Sequence, residues 1–288
     1  MNNSFEFEQG LFGTKAIIKT VWQESFLDLL LEKDVKELEL NDGKGWRNVN
    51  VDFLQFLPDL RSLTIIDLCI KSIEPVHYLN KLNKIELSTY SNVPINFNSF
   101  PELIECGFEW IKGSDSLFET VSIQKLFVNR FDKKNCDSFS KLSNLHELSI
   151  LNSPIENVVG LSFLKNLRTL RLANLRKLLS LQGIDNLTKI EELEIQHCRG
   201  IKTVNEVFKL SKLKRLLLLD LGEIDSIRGL ENLTDLTTFL FYESTNISDG
   251  DISPALNLKN LNKISFQNRK HYSHKREDFG ELYGGLFL

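Results

Sequence analysis

The chain has 288 residues, of which 42% are hydrophobic and 26% charged, so it can bury a sizeable core and does not have the composition of a disordered segment. A formal charge of -4 supplies no general basic face for a phosphate backbone, which makes nucleic acid an unexpected partner. Four single, widely spaced cysteines (Cys69, Cys106, Cys136 and Cys198) form neither a zinc pattern nor a disulfide framework, and no run approaches the roughly 18 apolar residues of a membrane span.

At the N-terminus Phe5 and Phe7 alternate with Glu6 and Glu8, and Ala16 to Trp22 come after Gly10 and Gly13, a pattern that predicts a small hairpin. Phe26, Leu27, Leu29, Leu30 and Leu31 then suit a short helix. Residues 1 to 34 are expected to form an N-terminal cap. The first residues lack the basic start and apolar run of an export signal, so a cytoplasmic location is expected.

From residue 35 a unit of the form Leu-x-x-Leu-x-Leu recurs, with Ile, Val, Phe and Cys tolerated. It begins as Val35-Leu38-Leu40, Leu60-Leu63-Ile65, Leu82-Ile85-Leu87, Leu103-Cys106-Phe108 and Ile123-Leu126-Val128. It continues as Leu145-Leu148-Ile150, Leu167-Leu170-Leu172, Ile190-Leu193-Ile195, Leu213-Leu216-Leu218, Leu236-Phe239-Phe241 and Leu261-Ile264-Phe266. Successive first positions are 25, 22, 21, 20, 22, 22, 23, 23, 23 and 25 residues apart, a period that marks a solenoid of eleven repeats over residues 35 to 268. The second and third apolar positions flank a polar one, the period of a half-buried strand, so each repeat contributes one short parallel strand. Between strands the apolar spacing becomes three, as in Ile155-x-x-Val158-x-Gly160-Leu161-x-x-Leu164, Leu178-x-x-Leu181-x-Gly183-Ile184-x-x-Leu187 and Ile224-x-x-Ile227-x-Gly229-Leu230-x-x-Leu233. That spacing suits 3₁₀ turns and extended segments better than α-helix, because residues i and i+3 eclipse in a 3₁₀ turn.

On these residues the chain resembles the short, internalin-like class of bacterial leucine-rich-repeat proteins. The resemblance implies an α/β repeat solenoid, a leucine-rich-repeat horseshoe with a concave parallel sheet of about eleven strands and a convex side of 3₁₀ turns. One departure is visible. The asparagine that in this class bonds the turn after the strand is replaced by Leu68, Tyr90, Phe131, Leu175 and Leu221, with Ser153, Cys198 and Ser244 as small or polar substitutes. Irregular turns, without a continuous asparagine ladder, are expected.

The tail, 269 to 288, is first basic (Arg269, Lys270, His271, His274, Lys275, Arg276) and then apolar, and reads as a C-terminal cap. His271-x-x-His274 lacks the further ligands of a zinc site and reads as solvated, and Asp249-Gly250-Asp251 has the wrong spacing for a calcium loop. No nucleophile with its base and no paired carboxylates stand out, so the chain reads as a non-catalytic module without cofactor or metal. Of the cysteines, all expected as buried thiols, Cys106 is the one with any prospect of reactivity.

Function should sit on the outward positions of the concave strands, whose identity the fold does not dictate. Acids outnumber bases there, and the partner-binding candidates are Glu37, Glu39, Glu86, Glu109, Trp110, Phe127, Arg171, Glu192 and Glu194, with an apolar patch of Leu217, Leu219, Leu240 and Tyr242. The expectation is a monomer that captures a basic protein partner, with an immunity protein neutralising a cognate toxin as its sharper form. The alternative is a regulatory subunit or scaffold for a signalling enzyme such as a phosphatase.

Overall fold

A computed structural model describes residues 4–282. The chain forms two compact units, Met1–Val128 and Asn129–Leu288. Among the described residues no helix is long and apolar enough to cross a membrane.

The first unit opens with an antiparallel pair, β1 (Phe5–Gln9) and β2 (Thr14–Ile18), followed by helix α1 (Ser25–Glu32). Strand β2 then pairs in parallel with β3 (Val35–Asn41), which leads to β4 (Ser62–Ile66), β5 (Lys84–Ser88), β6 (Glu105–Glu109) and β7 (Lys125–Asn129) in sequence order. Aromatic packing closes its N-terminal end. Trp22 stacks on Phe53 with centroids 3.6 Å apart, Phe5 meets Phe26 edge-on at 4.6 Å, and Trp46 is fully buried beneath them. The 3₁₀ turns Asp52–Phe56, Glu74–Tyr78, Phe97–Ser99 and Asp115–Glu119 lie between the repeat strands, where the spacing of three required them.

The second unit stacks β8 (Glu147–Leu151), β9 (Thr169–Ala173), β10 (Glu192–Gln196), β11 (Arg215–Leu219), β13 (Thr238–Tyr242) and β15 (Lys263–Phe266) in parallel. A minor ladder joins β12 (Glu223–Ile224) to β14 (Asn246–Ile247) beyond the turns. The register is that of the repeat: Leu148, Leu170, Leu193, Leu216, Phe239 and Ile264 lie opposite one another strand by strand and are buried. Each such buried side chain contributes about 1.5–3 kcal/mol, and the column is continuous because every repeat supplies the same position. The convex 3₁₀ turns pack so tightly that a Cβ on Gly160 would lie less than 3.0 Å from the Cys136 carbonyl and the Asp137 amide nitrogen, which is why glycine stands there. At the far end Phe266 packs against Tyr272 and Phe279, both buried. Residues 283–288 of the tail lie outside the described residues.

The turns after the strands differ between the units. From Arg130 to Glu243 the residue two places beyond the last core position of each strand, β7 to β13 of the repeat sheet, is left-handed: Arg130, Asn152, Asn174, His197, Asp220 and Glu243 all have φ between 51° and 61°. The amides of the first five donate to the next repeat, as in Asn174 N–H to Gln196 O at 2.9 Å and His197 N–H to Leu219 O at 2.9 Å. That geometry turns the following residue inward, so Phe131, Leu175, Cys198 and Leu221 are buried where the class carries asparagine. In the first unit the turn is shifted by one residue. Asp67 and Thr89 are buried and accept from the Cys69 and Ser91 amides, leaving Leu68 and Tyr90 exposed. The polar turn function is therefore kept, by Asp67, Thr89, Ser153 and Thr245.

Candidate functional site

The outward strand residues of the first unit divide into two groups. Glu37 and Glu39 point outward but belong to the end of the unit, and both are buried. The Glu37 carboxylate accepts from the Phe12 amide at 2.6 Å and packs against Gly10, fixing the hairpin turn. Glu39 is paired with Lys44 at 2.7 Å and Lys15 at 3.1 Å; burial pushes its carboxyl up, but the two ammonium groups outweigh it and hold it below the usual range. Both acids are buried in the structure of the N-terminal end, and the charge of Glu39 is paired within the chain, a correction to the exposed role expected of them. Trp110 is half-buried against Phe108 and Phe118, with centroids at 5.8 and 5.9 Å, and Glu109 beside it is half-buried too. Glu86 and Phe127 are the exposed members. Between them stands Gly107, whose missing side chain leaves a notch: a Cβ there would be 3.7 Å from Phe127 Cβ and 3.8 Å from Glu86 Cγ. Phe127 is 41% exposed although its neighbours on the strand, Leu126 and Val128, are buried.

In the second unit Arg171 and Glu194 face each other across β9 and β10 as an ion pair of 2.9 Å, and Arg171 also donates to Gln196 at 3.2 Å. Glu192 is exposed. The register places Leu217 beside Leu240 and Leu219 beside Tyr242, so the expected patch does form one cluster. It offers little surface, however, since Leu217, Leu219 and Leu240 are 6%, 7% and 9% exposed. An exposed apolar anchor is corrected to a nearly closed apolar cluster, because four large side chains on adjacent rungs cover one another.

The strongest polar arrangement lies at the ends of these strands and was not among the expected sites. Asp220, 6% exposed, receives Arg199 Nη2 at 2.6 and 2.8 Å, the Ser244 hydroxyl and the His197 ring through Nδ1. Burial pushes the Asp220 carboxyl up, but these donors outweigh it and hold the group well below the ordinary carboxylate range. Asn174, Arg176, His197, Arg199 and Asp220 line an open pocket of about 570 Å³. His197, Asp220 and Glu243 each bring a ligating atom within 4.8 Å of the others, yet Asp220 already carries a guanidinium, which a metal ion would have to displace. The sequence signal was available: His197-x-Arg199 repeats Asn174-x-Arg176 one repeat later. His271 and His274 are engaged locally, with the Ile247 carbonyl and Ser273.

The thiols also depart from expectation. Cys69 is exposed, whereas Cys106 is 1% exposed and burial pushes its thiol far up; Cys136 behaves likewise and Cys198 is pushed up to about 11 by burial.

No protein-family model and no curated protein sequence matches the chain. Solved structures do match. An internalin from Listeria monocytogenes superposes with a TM-score of 0.66 at 16% identity, covering 93% of this chain and 84% of that one. A leucine-rich-repeat protein from Leptospira interrogans gives 0.59 at 16%, covering 92% and 74%. The Arabidopsis receptor kinase HAESA ectodomain, solved with a peptide hormone, gives 0.56 at 17%, covering 76% of this chain and 40% of that one. In fold the chain is a leucine-rich-repeat solenoid similar to the bacterial internalin type.

Proposed function

We propose that the chain is a protein-binding module whose partner docks on the outward strand residues. The observation that supports this most directly is Phe127, a large aromatic kept exposed beside the Gly107 notch and Glu86, where neither the core nor the turns require it. An aromatic of this kind gains most by leaving water, and the notch gives a partner side chain a place beside it. A basic partner, with a cognate toxin as its sharper form, is the finer reading. Support for it is confined to Glu86 and Glu192, because Glu37, Glu39, Glu194 and Asp220 are committed to partners within the chain.

The test is affinity for a co-purifying partner. Phe127→Asp is expected to weaken binding about tenfold or more, that is about 1.4 kcal/mol. The matching change on the convex side, at the exposed Phe163, should leave it unchanged. The reverse pattern would reject the strand face. Glu86→Lys with Glu192→Lys reads the sign of the partner's charge.

A further inference from the structure

We propose that the pocket at the ends of β9, β10 and β11 is an oxyanion subsite, in which Arg176, Arg199 and the side-chain amide of Asn174 take a carboxylate or phosphate group. Its geometry comes from the repeat. Arg176 and Arg199 each stand two residues past a left-handed residue, Asn174 and His197, in repeats whose strands pair in register. They therefore occupy one column on neighbouring turns, about 4.8 Å apart at the backbone, a spacing that lets two guanidinium groups converge on one anion. The same column holds Pro154 one turn earlier and Gly222 one turn later. A Cβ on Gly222 would meet nothing within 4 Å, so the column is bulky at its two arginines and open beyond them.

Two observations separate this cluster from ordinary surface charge. Arg199 and His197 are held in place by the buried Asp220, which takes one guanidinium nitrogen and Nδ1. Both residues line the pocket, so the Arg199 guanidinium is fixed at its wall. Arg176, by contrast, has no hydrogen bond or ion pair among the described residues, and its neighbour Lys177 is equally uncommitted. Of the residues that line the pocket Arg176 and Arg199 are cationic and Asp220 is anionic, a balance of plus one with His197 neutral; Glu243 lies near Asp220, and Lys177 lines the adjoining pocket that shares Arg176. Asn174 adds an amide that can donate to the same oxygens. A fixed cation beside an uncommitted one is the arrangement that selects a bidentate anion.

Assigning the oxyanion to a protein partner, as a chain-terminal carboxylate or a phosphorylated side chain, rests on the protein-binding reading; the subsite itself does not. The full chain is titrated at low salt with inorganic phosphate, with N-acetylglycylglycine as its carboxylate and as its amide, and with zinc chloride. Ring signals of His197 and the side-chain N–H signals of the arginines are followed by NMR. Saturable shifts with a Kd on the order of 1 mM are expected for at least one anion. Binding of the carboxylate and not the amide identifies a chain terminus, and binding of phosphate alone a phosphoryl source. Arg176→Gln should weaken binding about tenfold while leaving the urea midpoint unchanged, since no contact is lost. The subsite is overturned if neither anion shifts these signals, if Arg176→Gln binds as tightly as the native chain, or if zinc alone binds. None of those outcomes bears on Phe127.

Discussion

Replacing Asp220 with alanine tests whether the turn network of the second unit stabilises it or only decorates it. The carboxylate is nearly buried and accepts from Arg199, Ser244 and His197. A hydrogen bond to a charged group contributes roughly 1.5–3 kcal/mol, but the partners discount this differently. The Arg199 and His197 side chains are 66% and 40% exposed and recover water when the carboxylate is removed. Ser244, which also accepts from the Gly222 amide at 3.2 Å, is half-buried and recovers less. The net cost is therefore about 2 kcal/mol, well short of the sum of the bonds. Because the folded carboxyl is held below its unfolded value, this stability is complete above about pH 4 and is lost as the pH falls toward the folded value. Urea unfolding of the native chain and Asp220→Ala at pH 7 and in steps below pH 4 gives the measurement. The difference should be largest at neutral pH and shrink with acid; a difference that is absent at pH 7, or constant with pH, would refute the reasoning.

Gly160→Ala should cost about 3 kcal/mol, since the methyl meets the Cys136 and Asp137 backbone and not a movable side chain; a melting temperature unchanged from the native chain would show that the convex turns have room to spare. Glu39→Gln should lower stability by about 1 kcal/mol at neutral pH, after discounting for the exposure of Lys44, and this loss should shrink as the pH falls below the usual carboxylate range and disappear only once the native carboxylate, held below that range, is itself protonated. With a thiol-specific chromogenic reagent at pH 8, one cysteine per folded chain, Cys69, should react promptly, and the remaining three only after denaturation; early labelling mapped to Cys106 would contradict its burial.

The strands were legible in the sequence because their signal is redundant. Eleven copies of one spacing, each with a period-two core, leave little choice of fold, and the spacing of three between them called for the 3₁₀ turns that are present. The site was less legible, for three physical reasons. Outwardness does not mean exposure: Leu217 and Leu219 occupy outward positions, yet large neighbours on the next rung cover them. Acidity does not mean availability, since Glu37 and Glu39 are buried against donors that sequence spacing cannot pair, the Phe12 amide and Lys44. Finally, left-handed turns built on Arg130, His197, Asp220 and Glu243 carry no glycine to announce them, so the register shift that exposes Leu68 and Tyr90 while burying Leu175 and Leu221 is visible only in three dimensions.

The uniform left-handed turns of the second unit have a consequence for how such a chain can change. Its repeats from β8 to β13 are 22 or 23 residues long and meet through the same amide-to-carbonyl bond, so one whole repeat is interchangeable with another at both of its faces. Duplicating or deleting such a unit would preserve the ladder while moving the outward residues beyond it by a single rung, and would set side by side residues that are now a repeat further apart, without altering either. The first unit, with its unequal repeats and shifted turns, lacks that modularity and must vary residue by residue.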